Sequence, residues 1–174
     1  MNRLQAIVLG VAAANIALML LFPPYDSLSM GLGGMQSFDA FYFALDGHPG
    51  KVVNANLLLI ELYWVIANAA FAWLLLGRRG SEPLMSPRTG VLVIGAANLV
   101  LALLFPPFEN YASTLRFSSP HFDGFYFVFG DKANRRFYIP LLYLETVWIL
   151  VNIAVMWLAL REPAKAPPPP IERY

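Results

Sequence analysis

An all-α membrane protein of four transmembrane helices is the fold class this sequence predicts: two tandem, parallel helical hairpins, with short extended or β segments in two outer loops. Three observations lead there. The chain of 174 residues is 58% hydrophobic and only 13% charged, with a mean hydropathy of +0.56, more apolar surface than a soluble core of this size can hide. Four apolar runs are long enough to cross roughly 30 Å of hydrocarbon at about 1.5 Å per residue. The chain also repeats itself. Asn15–Tyr25 (NIALMLLFPPY) matches Asn98–Phe108 (NLVLALLFPPF), and Phe38–Phe43 (FDAFYF) matches Phe122–Phe127 (FDGFYF). Ile60–Trp73 then shares its Glu, Trp, Asn, Trp spacing with Leu144–Trp157. The blocks keep their order and spacing to within one residue, so one structural unit is used twice.

The first repeat is placed at residues 1–80, with spans 4–22 and 52–76 around an outer loop 23–51. Leu4–Phe22 is interrupted only by Gln5 and Asn15 and is stopped by Pro23-Pro24. Arg3 before an apolar run has the look of a signal peptide, but its counterpart Gly90–Phe105 lies in mid-chain and cannot be one, so a retained helix is expected. Val52–Leu76 is closed by Gly77-Arg78-Arg79. The second repeat is placed at 81–163, with spans 90–105 and 139–160 around an outer loop 106–138. Gly90–Phe105 is the shortest span, with a start nearer Arg88 also open, and Pro140 sits in the first turn of the last, where a missing N–H costs nothing. Residues 164–174 form a proline-rich tail suited to extended polyproline.

Orientation follows from the basic residues that flank the spans. Arg3, Arg78, Arg79, Arg88, Arg161, Lys165 and Arg173 fall on one side, against Lys51, Arg116, Lys132, Arg135 and Arg136 on the other. This bias predicts both termini in the cytoplasm, and two spans per repeat give both repeats the same orientation, about a pseudo-two-fold axis along the membrane normal. The side bearing the two long loops is called outer below.

Both outer loops open on Pro-Pro and carry an FDxFYF segment whose aromatic content suits a short strand or an extended segment at headgroup level. One reading is an aromatic belt; the other is that the two segments pair or cover a shared cavity. Asp39 with Tyr42, and Asp123 with Tyr126, are the matched candidate contacts, the aspartates being suited to capping a turn. Met30–Gly34 is a flexible glycine-rich stretch without a counterpart.

The most suggestive chemistry is a repeated acid inside a span, where a carboxylate is costly. Glu61, Trp64 and Asn68, and likewise Glu145, Trp148 and Asn152, fall at i, i+3 and i+7 and share one helical face. Each Glu lies roughly 9 to 14 Å from the outer end of its helix at about 1.5 Å per residue. Three readings are open for this candidate intramembrane site: hydrogen-bonded glue, with Asn15 and Asn98 as available partners for the acids and Asn68 and Asn152 likewise suited to bonding between helices; a ligand or proton site; or a contact to another subunit. Trp73 and Trp157 fit interface anchors at the inner end.

Other chemistry is poorly supplied. There is no cysteine, net charge is +1, and His48 and His121 occupy non-equivalent positions. Thiol chemistry, nucleic-acid binding and a cofactor or metal site are therefore not expected. No HExxH, GxSxG, Walker or dinucleotide pattern is present.

Leu20–Pro24 with Phe41–Phe43, mirrored by Leu103–Pro107 with Phe125–Phe127, resembles small uncharacterised bacterial inner-membrane proteins that carry Leu-Phe-Pro-Pro after a transmembrane helix and an aromatic outer loop. The resemblance implies a bacterial inner-membrane setting and no known activity. A non-enzymatic accessory or assembly subunit of a membrane complex is the expected function, with a small transporter or proton-coupled carrier using Glu61 and Glu145 as the alternative. Expected partners are the lipid bilayer and either another membrane protein or a second copy of the chain.

Overall fold

The computed structural model describes residues 3–28, 36–77, 86–110, 121–131 and 134–160. In chain order these form α1 (Arg3–Leu21), β1 (Pro24–Leu28), β2 (Gln36–Phe41), β3 (Lys51–Val53) and α2 (Ala55–Gly77), then α3 (Pro87–Leu104), β4 (Pro107–Asn110), β5 (His121–Phe125), β6 (Arg135–Phe137) and α4 (Ile139–Ala159). All four helices are long and apolar enough to cross a membrane. Large apolar side chains stay exposed on each of them, from Leu9 and Leu18 to Leu74, Val100 and Leu158. A helix apolar on every side needs an apolar solvent, which a bilayer supplies.

Two boundaries differ from the sequence reading. The second span starts at Ala55, because residues 51–53 pair as a strand; Asn54 then accepts the Leu57 N–H on Oδ1 at 2.9 Å and opens the helix. The third begins at Pro87, since Ser86 accepts the Thr89 N–H at 3.1 Å and the proline takes the first turn. The glycine-rich stretch Met30–Gly34, the tail 164–174, and Arg78, Arg79, Arg116, Lys132, Arg161, Lys165 and Arg173 lie outside the described residues.

The short β segments expected in the outer loops are present, and in each loop three of them build an antiparallel sheet, ordered β2-β1-β3 and β5-β4-β6. The Pro-Pro exits explain how. Proline brings no N–H to a ladder, so it suits the first residue of a strand. Its carbonyl still accepts: Pro23 and Pro24 take the Tyr42 and Asn54 N–H groups at 3.4 and 2.8 Å, while Pro106 and Pro107 take those of Tyr126 and Tyr138 at 3.4 and 2.9 Å. The two halves share a register, Pro24 opposite Phe41 and Pro107 opposite Phe125, and the same bulge one residue later. In that bulge the extra residue is Asp39 in β2 and Asp123 in β5. The turn into the third strand also recurs, with Gly50 (φ 77°) in one half and Asn134 (φ 61°) in the other, both types that tolerate left-handed backbone.

Helices pack pairwise within each half, α1 on α2 and α3 on α4, while α1–α4 and α2–α3 contacts join the halves. The sheets meet through β2 and β5, where Phe38 and Phe122 lie 6.1 Å apart, each about as far from the Tyr138 ring. The two FDxFYF segments therefore touch by side chains and belong to different sheets. Beneath them Leu57 and Leu141, matched in the first turns of α2 and α4, are buried, as are Tyr25 and Phe108 in the central strands. At the inner end Arg88 Nε donates to the Leu160 carbonyl at 3.4 Å, with its guanidinium 5.1 Å from the Trp157 ring.

One close approach departs from the repeat. A Cβ at Gly95 of α3 would collide with the Ile153 side chain of α4, whereas the corresponding positions of the first half hold Ala12 and Ala69. A small–large pair in one half thus stands where the other has two alanines. Gly95→Ala is expected to destabilise the protein by about 1–3 kcal/mol through overpacking, and Ile153→Ala combined with it to restore most of that loss. Unfolding in mixed micelles of the single and double variants measures both.

Candidate functional site

Glu61, Val65, Asn68, Ala69 and Ala72 are half-buried along one side of α2, as are Glu145, Ile149, Asn152, Ile153 and Met156 along α4. At about 100° per residue these positions form the face turned into the bundle. The expected partnership of acid with asparagine is not what forms. Asn15 Nδ2 donates to Asn152 Oδ1 at 2.7 Å, and Asn152 Nδ2 returns a bond to Asn15 Oδ1 at 3.1 Å. Asn68 and Asn98 do the same at 3.2 and 2.8 Å.

Each Nδ2 also donates to the carbonyl four residues back in its own helix: Val11, Trp64, Ile94 and Trp148. Both N–H groups of every amide are therefore used. An asparagine meets its like because an amide offers donor and acceptor together, so two of them close a reciprocal pair; a carboxylate offers only acceptors. Asn98 is the sequence counterpart of Asn15 and Asn152 of Asn68, so one contact occurs twice, from the first helix of each half to the second helix of the other.

Glu61 and Glu145 have no hydrogen-bond or ion-pair partner among the described residues, and each is half-buried. Glu145 lies within electrostatic reach of Glu61. The asparagine pairs fix the height of both acids. Glu145 is seven residues, about 10 Å, outward from Asn152, and Leu21 is six residues, about 9 Å, outward from Asn15. Because Asn15 and Asn152 are bonded, the Glu145 carboxylate stands level with the last turn of α1; Glu61 stands in the same way beside the end of α3. The acids thus sit where the shorter helices stop, below the cap, and not midway along four complete spans. Trp64 points aside into an open groove between α2 and α3, lined also by Ala67, Asn68, Phe71, Ile94, Ala97, Asn98 and Leu101, whereas Trp148 is half-buried.

In the cap, Asp39 and Asp123 hold ion pairs and not turn amides. Lys51 Nζ lies 2.7 Å from Asp39 Oδ2 and 3.6 Å from the Tyr42 ring centre, and the Tyr42 hydroxyl donates to the same carboxylate at 2.9 Å. In the other half Arg135 Nε donates to Asp123 Oδ2 at 2.8 Å, with its guanidinium 3.9 Å from the centre of the Tyr126 ring. The bulge turns the aspartate toward the third strand, and the cation that meets it lies twelve residues on in each half. Sequence reading had used Lys51 and Arg135 only as flanking charge; their equal spacing from FDxFYF was the available signal. His48 packs against the Tyr25 and Tyr42 rings, at 5.2 and 4.8 Å. Among the described residues no group of three or more His, Asp or Glu is placed to hold a metal.

The Lys51 hydrogen bond, seconded by Tyr42, holds the Asp39 carboxyl below its ordinary range, and Asp39 in turn raises Lys51. Burial, seconded by the charges of Glu109 and Asp39, pushes the Tyr138 hydroxyl up. Compared with known protein families, curated proteins and solved structures, the chain has no match.

A double-mutant cycle on Asn15→Ala and Asn152→Ala is expected to give a coupling of about 0.6–1.7 kcal/mol, the range of interhelical hydrogen bonds in membranes, with a similar value for Asn68 and Asn98. Unfolding in mixed micelles reads it. For Asp39, whose folded pKa is depressed, the stabilisation is fully present above the unfolded carboxylate value of about 4 and is lost as pH falls through the folded one. Protection factors of the β2 and β3 amides, exchange corrected for its intrinsic pH dependence, are accordingly expected to fall below about pH 4, and Lys51→Met to remove that step.

Proposed function

We propose that this chain is a multi-pass protein of a bacterial inner membrane, with both termini cytoplasmic and two parallel hairpin repeats about an axis along the membrane normal. In this reading it is a non-enzymatic accessory or assembly subunit of a membrane complex. The observation that supports it is the groove between α2 and α3, a concavity of about 200 Å³ that opens sideways onto the apolar helix surface. Its walls combine the small residues Ala67 and Ala97 with Trp64, Phe71 and Leu101. Small residues on neighbouring helices permit close approach of a further transmembrane helix, and the large ones give it packing contacts. The occupant is a helix of another membrane protein.

A second reading, a small proton-coupled carrier, draws on Glu61 and Glu145. Two carboxylates without partners among the described residues, half-buried on the inward faces of α2 and α4, are the kind of group that binds and releases a proton or cation. The two readings separate on the purified native protein. The subunit reading expects a stoichiometric membrane partner that cross-links to a photoreactive residue at position 64 and is lost in Ala67→Trp or Ala97→Trp, with the chain itself still folded. The carrier reading expects the isolated chain to bind substrate in a pH-dependent way that Glu61→Gln and Glu145→Gln abolish. Retention of the partner by the tryptophan variants sinks the first reading; unaltered binding in the glutamine variants sinks the second.

A further inference from the structure

After the FDxFYF segment the chain turns back toward the membrane. Ala44 N–H donates to the Leu21 carbonyl at 2.8 Å, and Val128 N–H donates to the Leu104 carbonyl at the same distance. These carbonyls end α1 and α3, where orphan acceptors need a donor. Each loop is thereby pinned at the height of a helix end. The next residue, Leu45 in one half and Phe129 in the other, is 80% and 79% exposed. In the first half Phe43, two residues before Leu45, meets Phe22 at 5.4 Å. In the second, Phe105 meets Phe127 and Phe127 meets Phe129, both at 5.6 Å. Phe22, Phe105 and Phe127 are themselves largely exposed.

We propose that these two dipping loops are lipid-inserted keels: Leu45 and Phe129 enter the acyl region of the outer leaflet, and their ring clusters mark its boundary with the headgroups. Phospholipid is the occupant because the patch is continuous with the exposed apolar sides of α1 and α3, which the same lipid covers. The exposed apolar groups at the helix ends, Leu21 and Phe22 in the first half and Leu103 and Phe105 in the second, run straight into the keel. The aromatic belt expected of FDxFYF is thus divided: its first rings, Phe38 and Phe122, serve the contact between the sheets, while its last, Phe43 and Phe127, join the clusters at the lipid boundary. A boundary at this height also places Glu61 and Glu145 at the interface, within reach of water, with the first turns of α2 and α4 standing above the hydrocarbon.

The chain has no native cysteine, so single nitroxide labels report depth directly. Leu45→Cys and Phe129→Cys are labelled in the full-length protein, reconstituted in phosphatidylethanolamine–phosphatidylglycerol vesicles. Leu74→Cys on the exposed side of α2 is the hydrocarbon reference, and Gly47→Cys, where a side chain meets open space, is the aqueous one. Labels at 45 and 129 are expected to relax with oxygen several-fold more than with a water-soluble nickel chelate, as at 74, while 47 shows the reverse. Values at 45 and 129 that match those at 47 overturn the proposal. Low access to both relaxants also overturns it, and shows a protein surface, a partner or a second copy, covering the keel.

Discussion

The two reciprocal asparagine pairs set the geometry on which the rest of the molecule depends. Helices bathed in lipid gain little by hiding apolar surface from one another, so packing and interhelical hydrogen bonds must decide which helices meet and at what height. A leucine can slide along its neighbour at small cost, whereas an amide pair has one register. Asn15 with Asn152 and Asn68 with Asn98 therefore act as two pins between the halves, one on each side of the bundle. Their second N–H groups are taken by each helix's own backbone, so none is left unsatisfied if the pair holds. Once the pins are set, the shorter α1 and α3 end about 9 Å outward while α2 and α4 continue, and that step is where the cap is built.

The cap solves a problem the step creates. A helix that stops at the edge of a membrane exposes carbonyls without donors, and a chain leaving through Pro-Pro cannot use its own N–H groups to answer them. The returning loop supplies Ala44 and Val128 to the helix ends, and the prolines accept from the strands and from the starts of α2 and α4. A bulge then rotates one aspartate per half toward a cation on the third strand, above a tyrosine ring. Exposed ion pairs of this kind contribute little stability each; their consequence is register, because a slipped strand parts the charges. The halves differ where they meet. Asn54 caps α2 and also donates to Asp26 at 2.9 Å, whereas its counterpart Tyr138 makes no side-chain cap and joins Phe38 and Phe122 between the sheets.

The sequence carried the four spans plainly, since length and unbroken hydrophobicity are local properties. The helical face of Glu, Trp and Asn was also legible from spacing alone. That Asn68 and Asn152 bond to another helix was legible too, but which polar group meets which was not. Pairing Glu61 with Asn98 and pairing Asn68 with Asn98 satisfy the same periodicity, and the choice rests on relative helix height, which no single helix encodes. The strands were half-visible, because FDxFYF alternates weakly and Lys51–Val53 merges into the apolar run behind it. The ion pairs are not legible although their spacing is the same in both halves, because Lys51 and the Arg135-Arg136 pair read as topology signals when the partner is a bulged residue in another strand. Gly95 was not singled out; only the Ile153 side chain opposite gives it meaning.

Height also changes what the two acids imply. A carboxylate in the middle of four continuous spans faces hydrocarbon on all sides and demands a buried partner. A carboxylate beside the end of a neighbouring helix does not, because the neighbour gives way to strands, loop backbone and water. Among the described residues Glu61 and Glu145 have no partner at the level where α1 and α3 stop, a level at which an acid does not require an incomplete bundle. The duplication adds a constraint. One such residue can persist as an accident of packing, but Ala12 and Ala69 against Gly95 and Ile153 show that the halves have been free to diverge in their packed contacts. The acid has stayed in both, together with the asparagine seven residues below it, while the cap around each changed its helix start and its cation. Retention of an acid with no partner among the described residues through that divergence favours a use for the carboxyl group at the outer face over a use in holding the helices together, a task the asparagines already perform.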